Sequence, residues 1–296
     1  MSVAFPALPL AVEEPAVAGR SQRALAWTQF RRHRLAVAGA VVFALLCLGA
    51  ILAGGSPYDP NRTSLLARFE APSLAHPMGT DDLGRDELTR VLIGGRLSLA
   101  VGLLATLVSV IVGTLVGALA GYLGGAADSV LMRVTELFIA FPQLFILILI
   151  AALVGTNPVT IILVIGLLRW MPVARLVRAA FLQLKQQDYV AAARTLGASG
   201  SSIMWRHILP NALGPIVVAA SLGVAGAILT ESTLSFLGLG IQLPTATWGN
   251  MLRAAQNDMT TAPWLAFFPG LFIFLTILSM NYIGDGLRDA LDPRKS

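Results

Sequence analysis

The chain has 296 residues, of which 56% are hydrophobic and only 12% charged, with a net charge of +5. Soluble domains carry roughly 25% charged residues, so a soluble fold is excluded and an integral membrane protein is expected. The apolar runs are continuous rather than alternating, which argues against a β-barrel, and the basic residues flank those runs, which favours membrane topology over nucleic-acid binding. The single cysteine, Cys47, lies inside an apolar run and allows neither an intramolecular disulfide nor a cysteine metal cluster.

Residues 1–34 are expected to form a cytoplasmic tail. Positions 1–19 are rich in alanine and proline, carry Glu13 and Glu14, and read as disordered; with no positive charge ahead of the short apolar stretch they are not a signal peptide. Arg20, Arg23, Arg31, Arg32 and Arg34 then crowd against the first apolar run, which puts the N-terminus in the cytoplasm. A membrane-crossing helix needs about 20 apolar residues, and six runs qualify, at 35–53, 97–119, 131–154, 159–177, 212–230 and 265–283. The expected fold is therefore all-α with six transmembrane helices, the even number returning residues 286–296, with Arg288, Arg294 and Lys295, to the cytoplasm. Residues 54–96 and 234–264 fall on the outer side; in the first of these, Asp81, Asp82, Asp86 and Glu87 offset the arginines. Leu88, Val91 and Leu92 share one face of an amphipathic helix that leads into the second run, with the charges elsewhere.

The second run carries Gly113, Gly117, Gly121 and Gly125, a spacing of four that lines one helix face. Such a stripe lets a neighbouring backbone approach closely, and helix packing within the chain is its expected role. Arg169, in the fourth run, and Glu231, at the end of the fifth, are ionisable groups next to lipid. Arg169 is a candidate for lining a path or an inter-subunit contact; Glu231 suits a pore or the membrane interface equally well.

Residues 188–211, DYVAAARTLGASGSSIMWRHILPN, form a polar island between apolar runs. Asp188 is expected to cap a first helix, which Gly197 closes in the left-handed conformation; Ser199 or Ser201 caps a second, which Pro210 stops. Ala191, Ala192 and Ala193 leave the first helix bare, as suits a helix lying in another protein's groove rather than a loop that needs only solubility. Arg175, Arg178, Lys185, Arg194 and Arg206 around it favour a cytoplasmic position.

The spacing of Ala192, Ala193, Gly197, Leu209 and Pro210 resembles the EAA motif of ABC-importer permeases, with Ala191 where the family has glutamate and His207 where it has isoleucine. With Asp188 as cap, position 191 would be the third helical residue, so the missing glutamate removes a capping box. Three further strings resemble the C-type permease subunit of dipeptide and oligopeptide importers: GTDDLGRD at 79–86, SFLGLGIQLPTATWGNM at 235–251 and NYIGDGLRDALDP at 281–293. The resemblance spans residues 35–293, and implies a permease domain at 97–285 with the type I ABC-importer fold and a cytoplasmic coupling helix within 188–211.

It implies further that the chain is a multi-pass protein of the bacterial inner membrane, embedded in lipid and paired with a second, homologous permease subunit. Two ATP-binding cassette subunits would bind ATP and magnesium, and an extracytoplasmic solute-binding protein would deliver a peptide substrate to 54–96 and 234–264. Asp188, Ala191, Ala192, Ala193, Gly197, His207, Leu209 and Pro210 would form the ATPase-coupling surface. Nickel or another small solute is the alternative cargo; a passive channel or an intramembrane enzyme is a distant alternative. The sequence has no G-x-x-x-x-G-K-[ST] loop, no H-E-x-x-H and three scattered histidines, so no cofactor, metal or catalytic residue is expected on this chain. The nearest acidic pair, Asp128 and Glu136, is two helical turns apart.

Overall fold

The computed structural model describes residues 22–155 and 157–291, with side chains from Trp27 onward. The tail at 1–19, Arg20, the Arg23 side chain, Arg294, Lys295 and the end of the 281–293 string lie outside the described residues. Among those described, helices dominate and the only β pairing is an isolated bridge between Thr80 and Asp86. The elements are α1 (Gln22–Arg32), α2 (Arg34–Leu52), α3 (Glu87–Leu123), α4 (Gly125–Ala140), α5 (Gln143–Val154), α6 (Pro158–Leu167), α7 (Trp170–Leu184), α8 (Asp188–Thr195), α9 (Gly200–Ser202), α10 (Leu209–Phe236), α11 (Trp248–Ala254) and α12 (Trp264–Leu291).

Four helical stretches are long and apolar enough to cross a membrane, Arg34–Gly55, Glu87–Leu123, Gly200–Phe236 and Trp264–Leu291. The two remaining runs are each broken. Residues 131–154 divide between α4 and α5, which meet at 82°. Proline disfavours helical backbone in the residue before it, and Phe141, ahead of Pro142, is extended at φ −87°, ψ 136°. Residues 159–177 divide between α6 and α7 with a bend of 42°. Pro172 has no N–H to give the carbonyl of Leu168, one turn back, and the helix reopens at Leu168 and Arg169.

The 37-residue α3 is longer than the second run and absorbs the amphipathic stretch before it. Asp86 caps it, accepting from Thr89 N at 2.8 Å and Thr89 Oγ1 at 2.6 Å. Most charges of the preceding string are enclosed by the protein. Asp81, Arg85, Asp86, Glu87 and Arg90 are all buried. Asp81 accepts from Arg85 Nε at 2.6 Å and lies 3.5 Å from Arg90 Nε, and Asp86 meets His76 Nδ1 at 2.9 Å. The fold of the loop is what closes this ionic knot. Gly84 turns at φ +70°, and a Cβ there would sit 1.8 Å from the Ser64 carbonyl.

The most extensive helix pair is α3 with α7. A Cβ on Gly113 would lie 2.6 Å from Val173 Cβ, one on Gly117 2.4 Å from the Ala174 carbonyl, and one on Gly121 2.7 Å from Phe181 Cβ. Gly125 is not part of this seam. Gly124 ends α3 at φ +70°, so Gly125 lies past the turn with nothing within 4 Å of an added Cβ.

Contacts at the helix ends group the termini. A Cβ on Gly286 of α12 would meet Ala36 of α2, one on Gly214 of α10 lies against Leu291, and Gly200 faces Tyr122 at the end of α3. The start of α2, the end of α12, the start of α10 and the α8 region therefore share one end of the bundle. The opposite end holds the ionic knot and α11, where the 235–251 string becomes a cage around Asn250. Its Nδ2 donates to the Ile241 and Thr245 carbonyls, and it forms a capping box with Thr247. Trp248 then donates from Nε1 to the Val91 carbonyl at 2.9 Å, fixing α11 to α3.

Candidate functional site

The α8 unit is built from inside outward. Val190 and Ala193 are buried in a cluster with Phe181, Ile203, Ile208 and Ala212, which seats α8 on α7 and on the chain leading into α10. Ala191, Ala192, Thr195 and Leu196 face outward, Leu196 with 88% of its surface exposed. The helix ends in a Schellman motif: Gly197, at φ +81°, donates to Arg194 O at 3.1 Å and Ala198 donates to Ala193 O at 3.0 Å. Nothing lies within 4 Å of an added Cβ at Gly197, so the backbone angle alone requires glycine there. Partial burial pushes the Tyr189 phenol above its ordinary range, its hydrogen bond with Asn211 acting in the opposite direction, so the ring is uncharged at neutral pH.

Two sequence expectations are corrected. Gln187, in extended backbone, caps α8 without a side-chain bond, and Asp188 is the first helical residue. There its carboxylate favours the positive end of the helix. Position 191 is then the fourth helical residue, whose N–H already bonds Gln187 O at 3.2 Å, and no capping box is available to it. Ala191→Glu is accordingly expected to shift stability by no more than about 0.5 kcal/mol, a surface helix-dipole effect; a thermal shift assay on the purified protein checks this.

Pro210 does not stop the second helix. Ser199 caps it as expected, accepting from Ser202 N at 3.3 Å. The helix then runs without interruption from Gly200 to Phe236. A π-helical turn, Ile203–Ile208, precedes the proline, with Leu209 N donating to Met204 O. The wider turn relieves the clash an α-helical proline would have with the carbonyl one turn back. Asn211 Nδ2 supplies a donor to His207 O at 2.7 Å. His207, Leu209 and Pro210 thus belong to the root of α10, against which α8 packs.

Composition did not disclose how this unit is tied to the bundle. Lys185 Nζ donates to the Tyr122 carbonyl at 2.5 Å and lies over the Tyr122 ring, joining the ends of α3 and α7 beneath α8. A lysine before a polar loop reads as a topology signal, so the contact had no separate signature.

Of the two charged residues beside lipid, Arg169 lines an open cavity of about 360 Å³ at mid-helix, between α3, α5, α7 and α10. Glu231 does not line this cavity. It is fully buried, facing neither cavity nor lipid, because α10 continues to Phe236 and α11 folds over it. Its Oε1 accepts from Ser235 Oγ at 2.7 Å and its Oε2 from Ser98 Oγ at 3.3 Å. Asp128, half of the acidic pair, binds Arg178 through both oxygens at 2.5 and 2.6 Å, while Glu136 pairs on the surface with Arg133. No group of three or more His, Cys, Asp or Glu able to hold a metal occurs among the described residues.

A family model described as the binding-protein-dependent transport system inner membrane component matches residues 113–296. The chain belongs to that family. A second model, the N-terminal TM domain of oligopeptide transport permease C, matches residues 21–72 of this inner membrane component. It is 47% identical over 285 residues to the oligopeptide transport system permease protein OppC of Escherichia coli (strain K12), covering 95% of this chain and 94% of that one. Its identity to OppC of Bacillus subtilis (strain 168) is 40% over 270 residues, 91% of this chain and 88% of the relative. It is also 43% identical over 270 residues to the glutathione transport system permease protein GsiD of Pectobacterium atrosepticum, covering 90% of each.

Proposed function

We propose that the chain is one permease subunit of an ATP-driven importer that moves di- or oligopeptides across the inner membrane by alternating access. The cargo reading rests on the relatives, whose names specify oligopeptide and glutathione transport. In this reading each bent pair crosses as one span, giving six. The shared end of α2, α8, α10 and α12 is cytoplasmic, in keeping with the exposed Arg31, Arg32, Arg34, Arg194 and Arg206 there. A second permease subunit completes the path, a solute-binding protein delivers peptide to the opposite end, and two ATPase subunits supply ATP and magnesium.

The observation that carries the reading is the α8 unit: a bare outer face of Ala191 and Ala192, tipped by Leu196, on a helix capped at its C-terminus and fixed to the ends of α3, α7 and α10. A helix without long side chains fits closely into a groove, and a unit fixed to three spanning helices transmits a push instead of absorbing it. Closure of the two ATPases would draw the paired coupling helices together and re-tilt those spans.

Ala192→Arg tests this in proteoliposomes holding the full complex. The position is exposed, so the variant should insert and melt like the wild type. Loss of a central interface contact lowers affinity by about tenfold or more, so ATP-dependent uptake and ATPase co-purification should both fall by that factor. Uptake at the wild-type rate would remove α8 as the ATPase contact.

A further inference from the structure

Several arginines packed inside this fold have partners that match their charge or geometry. Arg85 and Arg178 pair with Asp81 and Asp128, and Arg96 donates to the carbonyls of Ala50 and Ile51 at 2.6 and 2.8 Å. Arg169 differs. Its side chain has one hydrogen-bond acceptor among the described residues, the Thr230 hydroxyl at 3.2 Å from Nη1, and no carboxylate within ion-pair distance. A guanidinium offers five N–H donors in a planar fork suited to a carboxylate, and an unpaired one beside lipid is costly to keep.

Its surroundings hold it in place at the edge of an open cavity. The Arg169 carbonyl is held by Ser109 Oγ at 2.8 Å, which fixes the backbone at the bend. The guanidinium lies along α10 at Gly226, where an added Cβ would be 2.1 Å from Nη2. The glycine leaves the room that the fork occupies. The cavity is lined by Thr106, Ser109, Gln143, Leu176 and Gly223, and Arg169 is the one charged residue lining it among the described residues. Its volume of about 360 Å³ falls in the range of sites that enclose small ligands, roughly 300–1,000 Å³.

We propose that this cavity is a carboxylate-binding station on the translocation path, in which Arg169 receives the C-terminal carboxylate of the passing peptide. The inference rests on the peptide-import reading above and adds a chemical feature to it. A free C-terminal carboxylate is shared by linear peptides of any sequence, so one cation can serve varied cargo. Thr106, Ser109 and Gln143 offer polar groups to the adjoining backbone, and Leu176 leaves room for side chains without reading them. Gly226 is a positioning residue, acting through the guanidinium.

The test uses the complete importer in proteoliposomes, with binding protein at saturation, and compares trialanine with trialanine amide. The wild type should prefer the acid. In Arg169→Gln, uptake of the acid should fall by about tenfold or more toward the amide's rate, in line with loss of a charge-assisted bond. Arg169→Lys should keep part of the preference. Gly226→Ala, which moves the fork without deleting it, should lower the acid rate while leaving the melting temperature unchanged. An acid-to-amide preference that is absent in the wild type, or unchanged in Arg169→Gln, overturns the proposal. So does loss of the second permease from the Arg169→Gln complex, which would make Arg169 an inter-subunit contact. Failure of the wild type to import either peptide, with the complex intact, would instead sink the peptide reading and this one with it.

Discussion

Gly117→Leu is expected to destabilise the folded protein by about 3 kcal/mol or more. A Cβ at this position would lie 2.4 Å from the Ala174 carbonyl oxygen, 2.8 Å from Val177 Cβ and 3.0 Å from the Arg178 amide nitrogen. Two of those three atoms are backbone and cannot rotate aside, so α3 and α7 must part along their length. Parting them uncovers Ala118, Ala174, Val177 and Phe181, all buried in the wild type. Between helices in lipid no hydrophobic drive restores the contact, because the tails are as apolar as the side chains and association depends on close fit. Overpacking a core usually costs about 1–3 kcal/mol; a clash with backbone belongs at or above the top of that range. Gly117→Ala should be intermediate. Gly55→Ala, with nothing within 4 Å, should be close to neutral. Thermal unfolding in mild detergent, followed by size exclusion, orders the three, and a Gly117→Leu melting temperature equal to wild type would show that the seam is not a constraint. The seam also has a functional end, since α3 and α7 finish at Tyr122 and Lys185, under α8.

What could be read before folding was whatever depends on local order along the chain. Four of the six apolar runs, the Ser199 cap, the Gly197 turn and the bare face at Ala191 and Ala192 follow from residue type and spacing and have counterparts in the structure, while the other two runs are bent helix pairs. The failures share a physical cause, competition between a local rule and its setting. Pro210 ought to end a helix, yet a π turn just before it makes room for the ring, and no composition signal marks such a turn. Pro142 ought to break one, but eleven apolar residues among the twelve after it made the run look continuous, and only the extended Phe141 exposes the 82° bend. The acidic string at 81–87 gave no sign of its burial, because its partners, Arg90 and His76, count as charges or isolated rings until the loop closes. Gly125 kept the stripe's spacing but fell past the end of its helix. Arg169 and Glu231 looked alike as charges next to lipid, and only packing separates a cavity-lining cation from a buried acid.

That buried acid gives the second large effect. Glu231 is fully enclosed, with no basic side chain within ion-pair distance among the described residues. It takes its hydrogen bonds from hydroxyls, Ser235 Oγ at 2.7 Å, Ser98 Oγ at 3.3 Å and Ser232 Oγ at 3.5 Å. Ser98 accepts in turn from the Trp248 amide at 3.2 Å, so the carboxyl group joins α3, α10 and α11 in one polar node. Glu231→Ala leaves a void and strands those donors away from water, and the two penalties together are expected to cost about 3 kcal/mol or more. Glu231→Gln keeps the volume and one acceptor oxygen, and a rotated Ser98 hydroxyl can accept from the new amide, so it should stay within about 1 kcal/mol of wild type. Thermal unfolding separates the two, and hydrogen exchange locates the damage: the Trp248 amide should exchange faster in the alanine variant and at the native rate in glutamine. If glutamine is as damaging as alanine, the negative charge itself is needed at this node. If neither variant changes stability, the hydroxyl donors are satisfied without Glu231, and α11 is held to α3 by Trp248 Nε1 on the Val91 carbonyl instead.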